Sequence, residues 1–101
     1  MKEALNDILI VRGVFSLSKE AVWWLRDHGW EGRVFSGTPE IARHDPLLLQ
    51  CFRELGEDAL GTFTEEARIV QISGNRYRII KDTGYFEKVE TPDNADWVVI
   101  E

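Results

Sequence analysis

The chain has 101 residues, enough for one domain with a modest core, and its 44% hydrophobic content with four Trp and five Phe excludes a disordered polymer. A formal net charge of −6 leaves no basic face for non-specific binding to DNA, RNA or an anionic membrane, while it suits a basic protein partner. Cys51 is the single cysteine, so no internal disulfide forms, and no apolar run reaches membrane-spanning length, so the expected setting is the cytoplasm.

The first element, DILIVRGVF, is rich in β-branched residues and predicts a strand over 8–15. Its run Ile8-Leu9-Ile10-Val11 implies burial on both faces, or else a helix extending from Met1; the strand is favoured. Next, SLSKEAVWWLRDHGW predicts a helix. Ser18 is the N-cap, Glu20 places negative charge in the first turn, Leu17 and Val22 suit a hydrophobic staple, and Gly29 stops the helix after His28. Ala21, Val22 and Leu25 define the inner face. From their mean direction Trp24 lies roughly 110° away, at the core boundary, and Trp23 roughly 150° away, pointing outward beside Arg26 and Asp27. Two explanations cover an outward Trp. Either the segment 29–37 folds over it as a lid, or it anchors another protein or a second copy of the chain. Trp23, Arg26, Asp27 and Trp30 are the candidate partner-binding residues.

EGRVFSGTPEIARH reads as loop with a short extended piece at 33–35. A second helix starts at Asp45 as N-cap with Pro46 in the first position, and Leu48, Phe52, Leu55 and Ala59 form one stripe. Gly56 ends or bends it. The rest alternates as strands: RIVQI and RYRIIK flank a hairpin signal at Gly74-Asn75, a tight turn follows at 82–84, Pro92-Asp93-Asn94 breaks the chain, and DWVVI is a last short strand. The expected class is α+β in a single domain, 1–101: one N-terminal strand, and two helices packed on an antiparallel β-meander of three to four strands.

Chemistry-bearing motifs are weak. His28, His44 and Cys51 have no metal-ligand spacing, no phosphate or dinucleotide loop occurs, and no nucleophile has an evident base, so neither metal, cofactor nor catalytic residue is expected. His28 suits the helix end, Cys51 a buried position, and the acidic residues a solvated surface rather than a DNA mimic. In NRYRIIK the arginines and the tyrosine fall on opposite strand faces, which argues for a solvated basic row and against a stacking platform for nucleic acid.

Two stretches, VFSLSKEA and ARHDPLLLQCFRELGEDALG, followed by IVQI and YRIIKDTGYFEKVE, resemble a family of small phage- and prophage-encoded proteins. The shared pattern, RxDPxLxxxxxELGxxAxG, falls on Arg43, Asp45, Pro46, Leu48, Glu54, Leu55, Gly56, Ala59 and Gly61, and continues weakly through Val70, Ile72, Tyr77, Ile79, Gly84 and Glu87. Cap, proline, stripe and strand explain most of these positions; Arg43 and Glu87 are left as a candidate ion pair. His44 departs from the pattern, which has an acid there, and Trp23-Trp24 lies outside it. The resemblance implies a setting in a bacterial host cell rather than an activity. With size and charge, it leads to an expected function by stoichiometric contact with a host protein or protein complex, for example inhibition of a host defence system such as a CRISPR complex. The alternatives are a homodimer or larger oligomer binding a small molecule such as a nucleotide, and a small enzyme using His44 with a carboxylate.

Overall fold

A computed structural model describes residues 5–35, 37–81, 85–91 and 98–99. It is α+β, as expected, with a strand at the N-terminus, two helices and antiparallel sheets. The elements are β1 (Leu5–Gly13), α1 (Lys19–Asp27), β2 (Val34–Phe35), β3 (Thr38–Pro39), α2 (Pro46–Leu55), a 3₁₀ turn (Gly56–Ala59), β4 (Thr64–Ser73), β5 (Arg76–Ile80), β6 (Lys88–Glu90) and β7 (Val98–Val99). The turn anticipated at 82–84 and the break at 92–94 lie outside the described residues.

β1 is the centre of the molecule. Ile8, Leu9, Ile10 and Val11 are all nearly or wholly inaccessible, which settles the strand against the helix. Leu9 and Val11 join Leu25, Leu48, Phe52 and Ala59 in the core under the helices. Ile8 and Ile10 point the other way, into a second cluster with Ile72 and Tyr77. Alternating side chains of one strand thus bury two cores, each side chain contributing about 1.5–3 kcal/mol.

The strand runs three residues earlier than its apolar stretch, because Leu5 to Asp7 pair with Gln71 to Ser73 of β4. It ends at Gly13, where the register shifts and φ is +90°. A side chain there would meet the Phe63 carbonyl at 2.6 Å, so glycine is required both by conformation and by space.

Sheet pairing departs from a continuous meander. β4 pairs with β1, while β5 pairs with β6 and β7. The 74–75 connection therefore carries the chain from one sheet to another instead of closing a hairpin within one. The physical reason is β1: its two-sided apolar run takes β4 as ladder partner and needs a cover for Ile8 and Ile10. β5 and β6 supply that cover with Tyr77, Ile79 and Val89, and the Asn6 amide donates to the Gly74 carbonyl at 2.7 Å to fix the crossing point. The layers are helices, the β1–β4 ribbon, and the β5–β6–β7 sheet.

Among the described residues the second edge of β1 meets no strand of comparable length. Leu9 N–H donates to the Arg43 carbonyl at 2.9 Å and Leu9 C=O accepts from the Arg43 guanidinium at 3.1 Å. Val11 N–H donates to Glu87 Oε1, and Val11 C=O accepts from Glu87 N–H, both at 2.9 Å. Arg43 Nη1 pairs with Glu87 Oε1 and Nη2 with Oε2 at 2.9 Å, and the guanidinium lies 4.1 Å from the Phe15 ring centroid. The ion pair anticipated from the sequence is thus present, and nearly all of it is buried.

Both helix starts are as read: Ser18 Oγ accepts from Ala21 N–H at 3.1 Å, and Asp45 Oδ1 from Leu47 N–H at 2.9 Å. Leu48, Phe52 and Ala59 are core, whereas Leu55 is only half-buried at the rim because α2 ends there and the 3₁₀ turn redirects the chain.

Two outcomes follow for urea unfolding. Leu48→Ala should cost about 2–5 kcal/mol through the cavity it leaves, and Leu55→Ala clearly less. Arg43→Ala should cost about 3–5 kcal/mol, because it strands the Glu87 carboxylate and takes a donor from Leu9 C=O. An unchanged midpoint for Arg43→Ala would show that the edge of β1 needs no such partner.

Candidate functional site

The α1 helix and the segment after it hold three of the four tryptophans, and each has a different environment. Trp24 is half-buried against the helical core, and its ring stacks on His28 with centroids 3.6 Å apart. His28 Nδ1 lies 2.6 Å from the Trp24 carbonyl, so the imidazole serves the helix end. Trp30 is also half-buried on that core; its main-chain N–H donates to the Leu25 carbonyl at 2.9 Å. Arg26 crosses the Trp30 ring at 4.7 Å and donates to the Gly32 carbonyl at 2.6 Å.

Trp23 is 63% exposed. The described part of 29–37 does not act as a lid over it. Trp30 and the Gly32 carbonyl are held at the helix C-terminus, and the Gly37 carbonyl, between β2 and β3, accepts from Leu17 N–H ahead of the helix. Leaving an indole in water forgoes about 1.5–3 kcal/mol of burial, so Trp23 is placed against local energetics. Its neighbours one helical turn away are Lys19, Glu20, Arg26 and Asp27, all exposed. Arg26 is committed to the Gly32 and Trp30 carbonyls, which leaves one cation, Lys19, and two carboxylates, Glu20 and Asp27, at the rim of the indole. Of the four candidate residues, Trp23, Arg26 and Asp27 are exposed on or beside one helix face, and Trp30 serves as packing beneath Arg26.

A further apolar surface was not legible in the sequence. Val14, Phe35 and Phe63 are each about half or more exposed. A buried polar junction gathers their three segments. Ser16 N–H donates to Thr64 Oγ1 at 2.8 Å, the two hydroxyls are 2.9 Å apart, and Phe63 N–H donates to Ser16 Oγ at 3.2 Å. Leu17 N–H donates to the Gly37 carbonyl at 2.8 Å, and Gly61 lies so close that a side chain there would meet Leu17 N at 2.7 Å. These residues have no periodic signal, because they come from loops that meet only in the fold.

Cys51 is fully buried, and burial together with nearby Glu54 pushes its thiol from the usual 9.0 to about 11. His44 Nδ1 shares a 2.6 Å hydrogen bond with the Tyr77 hydroxyl. Burial raises the Tyr77 pKa against the lowering influence of Arg43 and of backbone hydrogen bonds at His44 and Arg43. Among the described residues no three of His, Cys, Asp and Glu come together as metal ligands. No protein-family model, curated protein or solved structure matches the chain.

The Cys51 shift fixes a pH dependence. Below about pH 9 the thiol is protonated in both folded and unfolded chains and leaves stability unchanged. As pH rises through about 9 to 11, the unfolded chain releases a proton that the native chain keeps, so stability falls; Tyr77 acts with the same sign. Urea midpoints of Cys51→Ala should decline less steeply over this window than those of the wild type. Parallel declines would remove the assignment.

Proposed function

We propose that this protein is a contact module: it binds another protein stoichiometrically through the α1 face centred on Trp23. The observation that carries this reading is the 63% exposure of an indole that a half-turn of helix rotation would have buried. Glu20 and Asp27 at its rim, and the net charge of −6, favour a partner that offers an apolar pocket bordered by Lys or Arg. The resemblance of segment 43–61 to small phage- and prophage-encoded proteins supplies the setting of the proposal. The partner is then a host protein or protein complex in the bacterial cytoplasm, and inhibition of a defence complex is the activity to examine first.

The test compares two adjacent indoles. Trp24→Ala should destabilise the fold by a few kcal/mol through lost packing. Trp23→Ala should leave stability within about 0.5 kcal/mol, yet weaken partner binding by about thirtyfold or more. Captured host proteins are compared between wild type and Trp23→Ala, and the affinity of any that differ is measured by titration calorimetry. A partner bound equally by both would defeat the proposal.

A further inference from the structure

Among the described residues the β1–β4 ribbon leaves one long main-chain edge open. β4 has a ladder partner on one side only, β1, among the described residues. Leu9 and Val11 aim their main-chain groups at Arg43 and Glu87, away from β4. The β4 residues opposite them, Ile69 and Ala67, therefore form non-bonded pairs with β1 and aim their own N–H and C=O groups outward. By alternation so does Gln71, whereas the bulge opposite Arg12 and Gly13 breaks the alternation at Glu65. Such a row is a template for another strand.

Two further observations choose the strand. On the helix side, Ala67 and Ile69 border an open groove of about 280 Å³ with Phe52 and Leu60, so the edge is apolar beneath. On the opposite face stand Glu66 and Arg68, both exposed, neither paired with an opposite charge in the described structure, and placed symmetrically about Ala67; the Arg68 guanidinium lies over the Phe86 ring, 4.1 Å from its centroid. We infer that β4 is a self-complementary edge that joins a second copy of this chain, antiparallel, across a two-fold axis at Ala67.

The register follows from charge. An axis at Ala67 sets Glu66 of each copy opposite Arg68 of the other, twice, and brings the smallest side chain of the edge to the axis. An axis at Glu66 or at Arg68 would oppose identical charges. One at Ile69 would set Glu66 against Ile72 and Arg68 against Val70. In the Ala67 register the outward N–H and C=O of Ala67 in the two copies meet at the axis, and the two ribbons become one four-stranded sheet. The surface is separate from Trp23, so the dimer and the contact proposed for α1 stand or fall independently.

Sedimentation velocity over a concentration series up to about 1 mM reads the association directly. The wild type should show a reversible monomer–dimer equilibrium. Glu66→Arg and Arg68→Glu each turn two attractions into two repulsions and should raise the dissociation constant at least about tenfold, while the double swap restores it. Trp23→Ala should leave it unchanged. Amide exchange gives a second readout: Ala67 and Ile69 should gain protection as concentration rises, whether or not a variant folds well. A wild type that stays monomeric, a dimer indifferent to both swaps, a folded double swap that stays monomeric, or a dimer lost on Trp23→Ala would each overturn the inference.

Discussion

Everything in this fold depends on one strand being buried on both faces and satisfied on both edges. Four consecutive apolar residues of β1 supply two cores, but their peptide groups go into the interior with them. An unpaired buried N–H or C=O costs about 1–3 kcal/mol, so four stranded groups at Leu9 and Val11 would offset most of what the side chains contribute. β4 satisfies one edge. Arg43 and Glu87, each with both main chain and side chain, satisfy the other. A buried ion pair taken alone is close to neutral, since desolvation cancels much of the attraction. Here the pair also stands in for a missing strand, and that role explains why it lies between two segments more than forty residues apart in sequence.

The same economy shapes the face opposite the sheet. The tryptophans of α1 and its exit divide three tasks: Trp24 seals the core edge with His28 stacked on it, Trp30 holds the exit loop under Arg26, and Trp23 remains outside. Segment 29–32 is held at the helix end by hydrogen bonds from Arg26 and by Trp30 itself, and Trp23 stays uncovered. The Ser16–Thr64 junction does comparable work below, tying the ends of β1, β3 and β4 to one buried pair of hydroxyls. Exposed aromatics on both sides of that scaffold are held on rigid supports, which lowers the entropy cost of using them in contacts.

The two surfaces proposed for association differ in their physics. A lone indole on a helix offers area and a pocket-filling shape, and its partner is chosen by what surrounds the pocket. A strand edge offers main-chain hydrogen bonds that any strand could accept, so discrimination rests on the side chains beside it. Alternating Glu66 and Arg68 both deter indiscriminate strand addition and favour one register of self-pairing. Because both copies carry the same net charge, added salt weakens their mutual repulsion and the Glu66–Arg68 attraction together, over a range of about 8–10 Å.

Local signals in the sequence were sufficient for the elements themselves. Ser18 and Asp45 with Pro46 fix two helix starts, and Ile8 to Val11 fix a strand buried on two sides. The position of Trp23 relative to Ala21 and Leu25 fixes an outward indole, because caps and periodicity act within a few residues. The pairing of Arg43 with Glu87 was legible only as two charges lacking a local explanation. What the tertiary structure decided is everything that depends on competition between distant segments. Gly74-Asn75 permits a tight connection, but whether β4 then pairs with β5 or with β1 depends on which strand has two apolar faces to bury. Leu55 fits the helical stripe, yet it lies at the rim because the chain turns at Gly56. Val14, Phe35 and Phe63 share no spacing and gather only around the buried Ser16 and Thr64 hydroxyls. The open edge of β4 exists because β1 takes its other side, a choice that no residue of β4 makes by itself.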